Sequence, residues 1–162
     1  MFPVKTILCP LDFSSNSLQA LKTAEEMAVH FSAELILVHV VPPFPERAAG
    51  QGEPIGYNAP SGIGTFALKE YRERLKGNAE EMLGKAAEEE LDTDINSKTV
   101  VLQGGQEADE INKCAEETGA DIIIISSHGR TGLKRVIFGA VAEKIIRESP
   151  IPVLTLPGTH NK

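Results

Sequence analysis

The chain has 162 residues, 41% of them hydrophobic and 24% charged, a composition that is typical of a globular protein and excludes disordered, collagen-like and coiled-coil classes. The formal net charge of −7 argues against nucleic acid as the main partner, because binding to a phosphate backbone needs a broad face of Lys and Arg. No apolar run approaches the roughly 20 residues that cross a bilayer, and the N-terminus does not have the pattern of a signal peptide. These features predict one cytoplasmic domain over residues 1–162, with neither a membrane nor a nucleic-acid partner.

The first part of the chain predicts a strand, a helix and a second strand. The apolar run Val4–Leu11 ends as a strand near Pro10, which cannot donate to a sheet ladder. A cluster of helix-capping residues at 12–17 begins a helix that ends near Ser32, and Glu34–Val41 is a second, nearly all-apolar strand. The helix has one apolar stripe, formed by Leu18, Leu21, Ala24, Met27, Ala28 and Phe31. A strand–helix–strand unit of this kind is right-handed, and its two strands are parallel.

The middle of the chain changes in composition. Prolines and glycines are frequent over about 42–65 and no periodicity is left, which predicts a long flexible loop of the kind that forms lids and binding loops. A helix follows over about 66–91, and a third strand is predicted over 95–102. The apolar stripe of this helix consists of Leu68, Tyr71, Leu75, Ala79, Met82, Leu83 and Ala86.

The last part continues the alternation of strand and helix. A short helix ends at Gly119, the usual position of glycine past a helix C-terminus. Its inward residues are Ala108, Ile111, Cys114 and Ala115. The fourth strand covers 121–126, and a helix after Gly139 leads to a fifth strand over 151–157. That last helix has Val141, Ile145 and Ile146 inward. Such alternation predicts an α/β protein with a parallel sheet.

Neither the cysteines nor the histidines form a metal-binding pattern. Cys9 and Cys114 are far apart and lie in apolar segments, so we expect two buried free thiols. His39 lies inside the second strand, where a hydrogen-bonded core histidine is the simplest interpretation. The adjacent pair Ser127 and His128 has no third orienting residue, so no catalytic role is predicted for it.

Three distant points of the chain follow predicted strands and could share one ligand. They are Leu11–Asp12 after the first strand, Val40–Val41 after the second, and 126–129 after the fourth. Parallel strands direct their carboxyl ends to one edge, so we expect these points to line one crevice. Asp12 can accept hydrogen bonds from a ribose, the backbone of Val40 can pair with an adenine edge, and amides around Gly129 and Gly139 can hold phosphate oxygens.

The local charge of the chain and the absence of common nucleotide-binding motifs limit which anion the site could bind. Basic residues outnumber acidic ones between 128 and 147. The basic residues are Arg130, Lys134, Arg135, Lys144 and Arg147. A positive segment this short suits a small anion better than a polymer. The chain has no Gly-x-x-x-x-Gly-Lys-Ser/Thr loop, no Gly-x-Gly-x-x-Gly after the first strand and no Gly-x-Ser-x-Gly elbow. The usual phosphate-loop, dinucleotide-binding and hydrolase interpretations are therefore excluded.

Several motifs resemble the universal stress protein family, in order along nearly the whole chain. They are Pro10-Leu11-Asp12-Phe13-Ser14, Val38-His39-Val40, Gly119-Ala120-Asp121-Ile122-Ile123-Ile124, Ser127-His128-Gly129-Arg130-Thr131-Gly132-Leu133, Gly139-Ala140-Val141-Ala142-Glu143 and Pro150-Ile151-Pro152-Val153-Leu154. The resemblance implies a Rossmann-like, open sheet of five parallel strands in the order 3-2-1-4-5 with helices on both faces. It also implies a homodimer that often forms through the last strand.

The nucleotide-binding branch of that family has the pattern Gly, two residues, Gly, nine residues, Gly and then Ser or Thr. In this sequence Gly129 and Gly139 match, whereas Ser126 replaces the first glycine and Ala140 the hydroxyl residue. Ala140 keeps its N–H but lacks a side-chain bond to phosphate, which costs on the order of 1.5–3 kcal/mol. ATP affinity then falls by roughly one to two powers of ten.

The resemblance thus implies a stress-response protein that binds ATP and hydrolyses it slowly at most. We assign the nucleotide to Pro10, Leu11, Asp12, Val40, Ser126, His128, Gly129, Arg130, Gly139, Ala140 and Val141. No catalytic residue and no metal ligand is assigned, and whether Mg²⁺ or Mn²⁺ accompanies the phosphates is left open. Two alternatives stay open: a regulatory or interaction dimer of the same family without nucleotide, which Ser126 and Ala140 favour, and, less favoured, an ATP-using ligase or transferase.

Overall fold

A computed structural model describes residues 3–41, 65–92, 94–127 and 138–158. Strands and helices alternate along the chain as the sequence predicts, with bounds close to the predicted ones. The elements are β1 (Thr6–Pro10), α1 (Ser15–Phe31), β2 (Glu34–Val41), α2 (Thr65–Glu90), β3 (Ser97–Gln103), α3 (Glu107–Thr118), β4 (Ile122–Ser126), α4 (Ala140–Glu148) and β5 (Val153–Leu156). The loop predicted at 42–65 lies outside the described residues except for Thr65, the first residue of α2.

The five strands form one parallel sheet in the order β3-β2-β1-β4-β5. The predicted fold class and strand order are therefore confirmed. Side chains of a strand alternate between the two faces of a sheet, so Ile7 and Cys9 of β1 pack with α1 and α2, whereas Leu8 packs with α3 and α4. Each pair of helices covers one face, and β1 lies at the centre of the sheet between β2 and β4.

Burial falls from the centre of the sheet to its edges. The side chains of Ile7, Leu8, Ile123 and Ile124 in the central strands are fully buried. No residue of β3 or β5 reaches full burial. An edge strand has a neighbour on one side only, which accounts for this difference. Within the described ranges, no helix combines the length and apolarity that a bilayer crossing requires.

The start of β1 is tied to the start of β4 by one carboxylate. Asp121, directly before β4, accepts hydrogen bonds from the backbone N–H of Lys5 at 2.7 Å and of Thr6 at 2.9 Å. Hydrogen bonds to a charged acceptor are stronger than neutral ones. Asp121 therefore helps to fix the register of the central strand pair.

Three residues of the predicted apolar stripes lie outside the core. Phe31 is 42% exposed, Met82 is 47% exposed and Ile146 is 43% exposed. Successive helix residues are about 100° apart, so burial of Leu83 turns Met82 outward and burial of Ile145 turns Ile146 outward. Phe31 is the last residue of α1, and its ring stands edge-on to that of His30 instead of facing the sheet. The prediction for these three residues is wrong, because spacing alone overestimates the width of the contact.

Both cysteines are buried free thiols, as predicted. Cys9 lies in β1, the central strand of the sheet, and burial raises the pKa of its thiol from 9.0 to about 12. Cys114 faces the sheet from α3, where burial also raises its pKa. Neither thiol is a reactive nucleophile near neutral pH.

Candidate functional site

A crevice opens at the carboxyl ends of β1, β2 and β4. The helix after β1 lies on one face of the sheet and the helix after β4 on the other, so the strand order changes direction at this point, where open α/β sheets bind their ligands. The cavity has a volume of about 370 Å³. Its walls include most residues that the sequence assigns to a ligand, namely Pro10, Leu11, Asp12, Val40, Ser126, Gly139, Ala140 and Val141. The remaining assigned residues, His128, Gly129 and Arg130, lie outside the described residues.

Asp12 is held at the cavity by a chain of hydrogen bonds that continues into α1. Its Oδ1 accepts from the N–H of Ser14 at 3.0 Å and from the Ser14 hydroxyl at 2.6 Å. Ser14 in turn caps α1, since its Oγ accepts from the N–H of Ser17 at 3.2 Å. The capping residues that the sequence predicts therefore also orient the carboxylate of Asp12.

Phe13, between Asp12 and Ser14, has a left-handed backbone with a φ of 62°. For a bulky residue this conformation costs on the order of 1–3 kcal/mol and persists only where neighbours enforce it. Two contacts do so: the Asp12–Ser14 hydrogen bonds span it, and its ring lies 4.6 Å from that of His39, centroid to centroid. The turn that carries Asp12 is thus strained and fixed from both sides.

Beside this turn, the ladder between β1 and β2 stops early. The N–H of Leu11 donates to the carbonyl of Val38 at 2.8 Å, and in a parallel ladder the Leu11 carbonyl would next accept from the N–H of Val40. Instead, that carbonyl is 2.6 Å from Nδ1 of His39. Because a carbonyl oxygen only accepts, Nδ1 of His39 carries the hydrogen. His39 is therefore hydrogen-bonded, as the sequence predicts, but it is only half-buried.

The consequence is an open backbone edge at Val40. Its N–H and C=O face the β1 side, where the chain leaves the ladder after Leu11, and neither has a hydrogen-bond partner among the residues that the structure describes. Val40 is only 6% exposed and lines the cavity. Buried backbone groups without a partner are rare in proteins. One donor and one acceptor thus stand side by side in the cavity wall.

On the opposite side, the cavity meets the N-terminus of α4. Gly139 is the N-cap and has no side chain to satisfy the first amides. Its own N–H donates to the carbonyl of Ser127 at 2.7 Å, so it is not available to an anion in this structure. The N–H groups of Ala140, Val141 and Ala142 have no intrahelical acceptor by helix geometry, and none is found elsewhere in the described ranges. All three residues line the cavity at the positive end of the helix dipole.

Ser126 is accommodated without strain. It is the last residue of β4, it is 7% exposed, and its backbone is that of an extended strand. Among the described non-glycine residues, positive φ occurs only at Phe13 and Ser32. Position 126 therefore does not require glycine in this structure.

The predicted basic patch is not supported in its described part. Lys144 pairs with Asp109 at 2.7 Å and with Glu148 at 3.9 Å. Arg147 pairs with Glu143 and Glu148. These two cations are paired with acidic residues of α3 and α4 and do not line the cavity, so the structure gives no support to the prediction that they serve an anion. Arg130, Lys134 and Arg135 lie outside the described residues.

The cavity also contains residues that sequence reasoning missed. Glu107 and Ile111 of α3, together with Val38 and Ser17, line it beside the predicted set. The missed signal was available, because β3 is parallel to the other strands and its carboxyl end reaches the same edge. The helix after β3 therefore had to begin beside the crevice.

A parallel sheet in the order 3-2-1-4-5 with a crevice at its switch point defines a Rossmann-like α/β protein. A family model described as the universal stress protein family matches residues 3–157, and the chain belongs to that family. Universal stress protein MJ0531 of Methanocaldococcus jannaschii is 34% identical over 152 residues, which are 94% of this chain and 81% of the relative.

A second relative is similar in both sequence and structure. Universal stress protein MJ0577 of the same organism is 31% identical over 156 residues, 94% of each chain. Its solved structure gives a TM-score of 0.75 and covers 98% of this chain and 99% of the other. A universal stress protein from Archaeoglobus fulgidus, solved in complex with dAMP, shares the fold with a TM-score of 0.53 at 20% identity and covers 96% of this chain and 98% of its own.

Proposed function

We propose that the protein is a cytoplasmic homodimer that binds ATP in this crevice and serves a regulatory role in the stress response. The observation that carries the proposal is the open backbone edge at Val40. A buried amide without a partner costs about 1–3 kcal/mol, so a ligand that supplies an acceptor and a donor together would be favoured there. The Watson–Crick edge of adenine does so, with N1 as acceptor and the 6-amino group as donor.

The other walls of the cavity suit the rest of the nucleotide. The carboxylate of Asp12 would accept hydrogen bonds from ribose hydroxyls, for which its two oxygens offer several lone-pair positions. The amides of Ala140, Val141 and Ala142 would donate to phosphate oxygens at the helix N-terminus. A volume of about 370 Å³ lies within the range of roughly 300–1,000 Å³ usual for small-molecule sites. The dAMP complex of the Archaeoglobus fulgidus protein supports the compatibility of this fold with an adenine nucleotide.

The proposal also includes a homodimer and, at most, slow hydrolysis of ATP. The last strand, β5, has no strand on its outer side among the described residues, and pairing of that side with a second copy would give a two-fold dimer, the commonest assembly. We assign no catalytic base, so hydrolysis of ATP would be slow at most. Whether Mg²⁺ or Mn²⁺ accompanies the phosphates stays open; the described residues gather no group of three His, Cys, Asp or Glu side chains.

One pair of observations favours a second function, that of an interaction dimer without nucleotide. Ala140 has no hydroxyl for a phosphate, and the N–H of Gly139 already donates to Ser127. Both reduce the number of donors available to an anion. In this alternative the crevice would bind no nucleotide, and the dimer surface would carry the function.

The experiment starts from freshly purified protein, which is denatured so that its released small molecules can be analysed by mass spectrometry. The emptied and refolded protein is then titrated with ATP by calorimetry. We expect an adenine nucleotide in the released fraction and saturable binding. Absence of released nucleotide together with no binding at millimolar ATP would exclude the ATP proposal and leave the interaction dimer.

A variant at Val40 separates the two functions in cells. Val40→Pro removes the N–H that has no ladder partner and places a ring where the base edge would lie, while the described hydrogen bonds of the sheet that involve Leu11 and Val38 are kept. Loss of ATP binding is expected, and urea unfolding provides the correction for the stability lost with the buried valine side chain. If the cellular role also persists in a variant that binds no ATP, the nucleotide is dispensable.

A further inference from the structure

The side chain of Glu107 is the one acidic group in the cavity wall that sequence reasoning did not assign. It begins α3, it is exposed, and it contacts the same cavity as Asp12 and Val40. Its charge is not compensated by the described residues, since no ion pair joins it to any of them. The neighbouring acid Asp109 differs, because Lys144 binds it at 2.7 Å.

The position of Glu107 along the crevice follows from its neighbours on α3. Ala108 and Ile111 pack in the same cluster as Val38 and Val40 of β2. The first turn of α3 begins shortly after the end of β3, which neighbours β2 in the sheet, so it lies nearer to the end of β2 than to that of β4. The N-terminus of α4 follows β4, which lies on the other side of β1 in the sheet. Glu107 is thus on the base side of the site, and the free amides of α4 are on the phosphate side.

We infer that Glu107 determines base specificity by accepting a hydrogen bond from the 6-amino group of adenine. This inference rests on the proposed function, because it concerns the same site. The C=O of Val40 can accept only one of the two amino hydrogens, and the second needs another acceptor. An ionised carboxylate is an acceptor with no hydrogen to donate. It favours a 6-amino purine and repels a 6-oxo purine, whose oxygen also accepts.

The first test compares ATP with inosine triphosphate, in which a 6-oxo group replaces the 6-amino group. Both are titrated into wild-type protein, Glu107→Ala and Glu107→Gln by calorimetry. Loss of a charge-assisted hydrogen bond lowers ATP affinity by about ten- to a hundredfold in Glu107→Ala. Inosine triphosphate binding is expected to stay equal or to improve, so the preference for ATP falls. Glu107→Gln keeps a neutral acceptor and is expected to lose less.

The second test varies the number of phosphates, using adenosine, AMP, ADP and ATP. A residue at the base weakens all four ligands by the same factor in Glu107→Ala. If the variant instead tightens binding progressively with each added phosphate, the carboxylate faces the phosphates and the inference is overturned. Glu116→Gln is the matched control for overall charge, because Glu116 is an exposed acid of α3 that does not line the cavity.

The two proposals fail in different ways. If wild-type protein binds none of the nucleotides, both the proposed function and the inference about Glu107 are refuted. If wild-type protein binds ATP and Glu107→Ala binds both triphosphates as the wild type does, only the role of Glu107 is refuted. Urea unfolding of each variant shows whether the fold is retained.

Discussion

Removal of the imidazole of His39 tests whether the open edge of Val40 binds a base. In His39→Leu the carbonyl of Leu11, which Nδ1 holds at 2.6 Å, loses its donor. Leu11 is only 3% exposed, so its carbonyl would turn into the sheet and accept from the N–H of Val40, closing the edge. The hydrogen bond from the N–H of Val40 to the base would be lost, with a net contribution of about 0.5–1.5 kcal/mol. We expect ATP affinity to fall by roughly 2- to 13-fold.

The assay is calorimetric titration with ATP and adenosine, and His39→Asn is the matched variant. The amide nitrogen of Asn stands as many bonds from the backbone as Nδ1 of His does, so it can donate to the same carbonyl. Asn also loses the ring contact with Phe13, as Leu does, which separates the hydrogen bond from the packing. We expect His39→Asn to bind ATP within a few-fold of wild type, and adenosine to weaken in His39→Leu as much as ATP does.

Two results would refute this reasoning. Equal affinity of His39→Leu and wild type would show that the ladder does not close or that Val40 does not contact the base. Equal loss in the Leu and Asn variants would assign the effect to the ring contact with Phe13. Urea unfolding of each variant provides the correction for a general loss of stability.

Three further predictions concern other parts of the molecule. Ala140→Ser restores a hydroxyl at the start of α4 and should tighten ATP by about ten- to a hundredfold without changing adenosine binding; an equal gain for both ligands in calorimetry would contradict a phosphate contact. Cys9 keeps its proton in the folded state up to a pKa of about 12 against an ordinary value of 9.0. The unfolded state therefore binds fewer protons between these values, and stability falls as pH rises through this window. From pH 9 to 10.5 the loss is about 1–2 kcal/mol, and it should be missing from Cys9→Ala in urea unfolding; parallel losses would refute the assignment. Asp121→Ala removes the acceptor of Lys5 and Thr6 and should lower the free energy of unfolding by about 1–3 kcal/mol, whereas a change within the error of urea unfolding would mean that water replaces both bonds.

Element order and the ring of residues around the crevice could be predicted because they depend on periodicity and on strand ends, whereas the strand order was implied by the resemblance to the universal stress protein family. Asp12, Val40 and Ala140 meet in the cavity since each follows or begins an element whose type is clear from the sequence. Helix flanks could not be predicted in the same way. Met82 and Ile146 have the right spacing for burial, but the burial of their neighbours Leu83 and Ile145 turns them outward.

Hydrogen bonds between residues that are distant in sequence account for the other parts of the site that could not be predicted from the sequence. The hydrogen bond from His39 to Leu11 depends on the register of two strands and on the strained turn at Phe13. It therefore cannot be predicted from the residues next to His39 in the sequence. The N–H of Gly139 is used by Ser127 for the same kind of reason. Spacing identifies residues near a ligand, but it does not show which of their backbone groups are already paired.

The central place of β1 constrains how this chain can fold. Thr6 is bonded to Asp121, 115 residues further along, so the middle of the sheet closes only after most of the chain has been synthesised. Until then Leu8 and Ile36, which the finished core buries completely, have no α3 or α4 to cover them. Contacts of such long separation slow folding and leave apolar surface open to aggregation. The N-terminal strand–helix–strand unit therefore exposes apolar side chains until the second half of the chain has been synthesised.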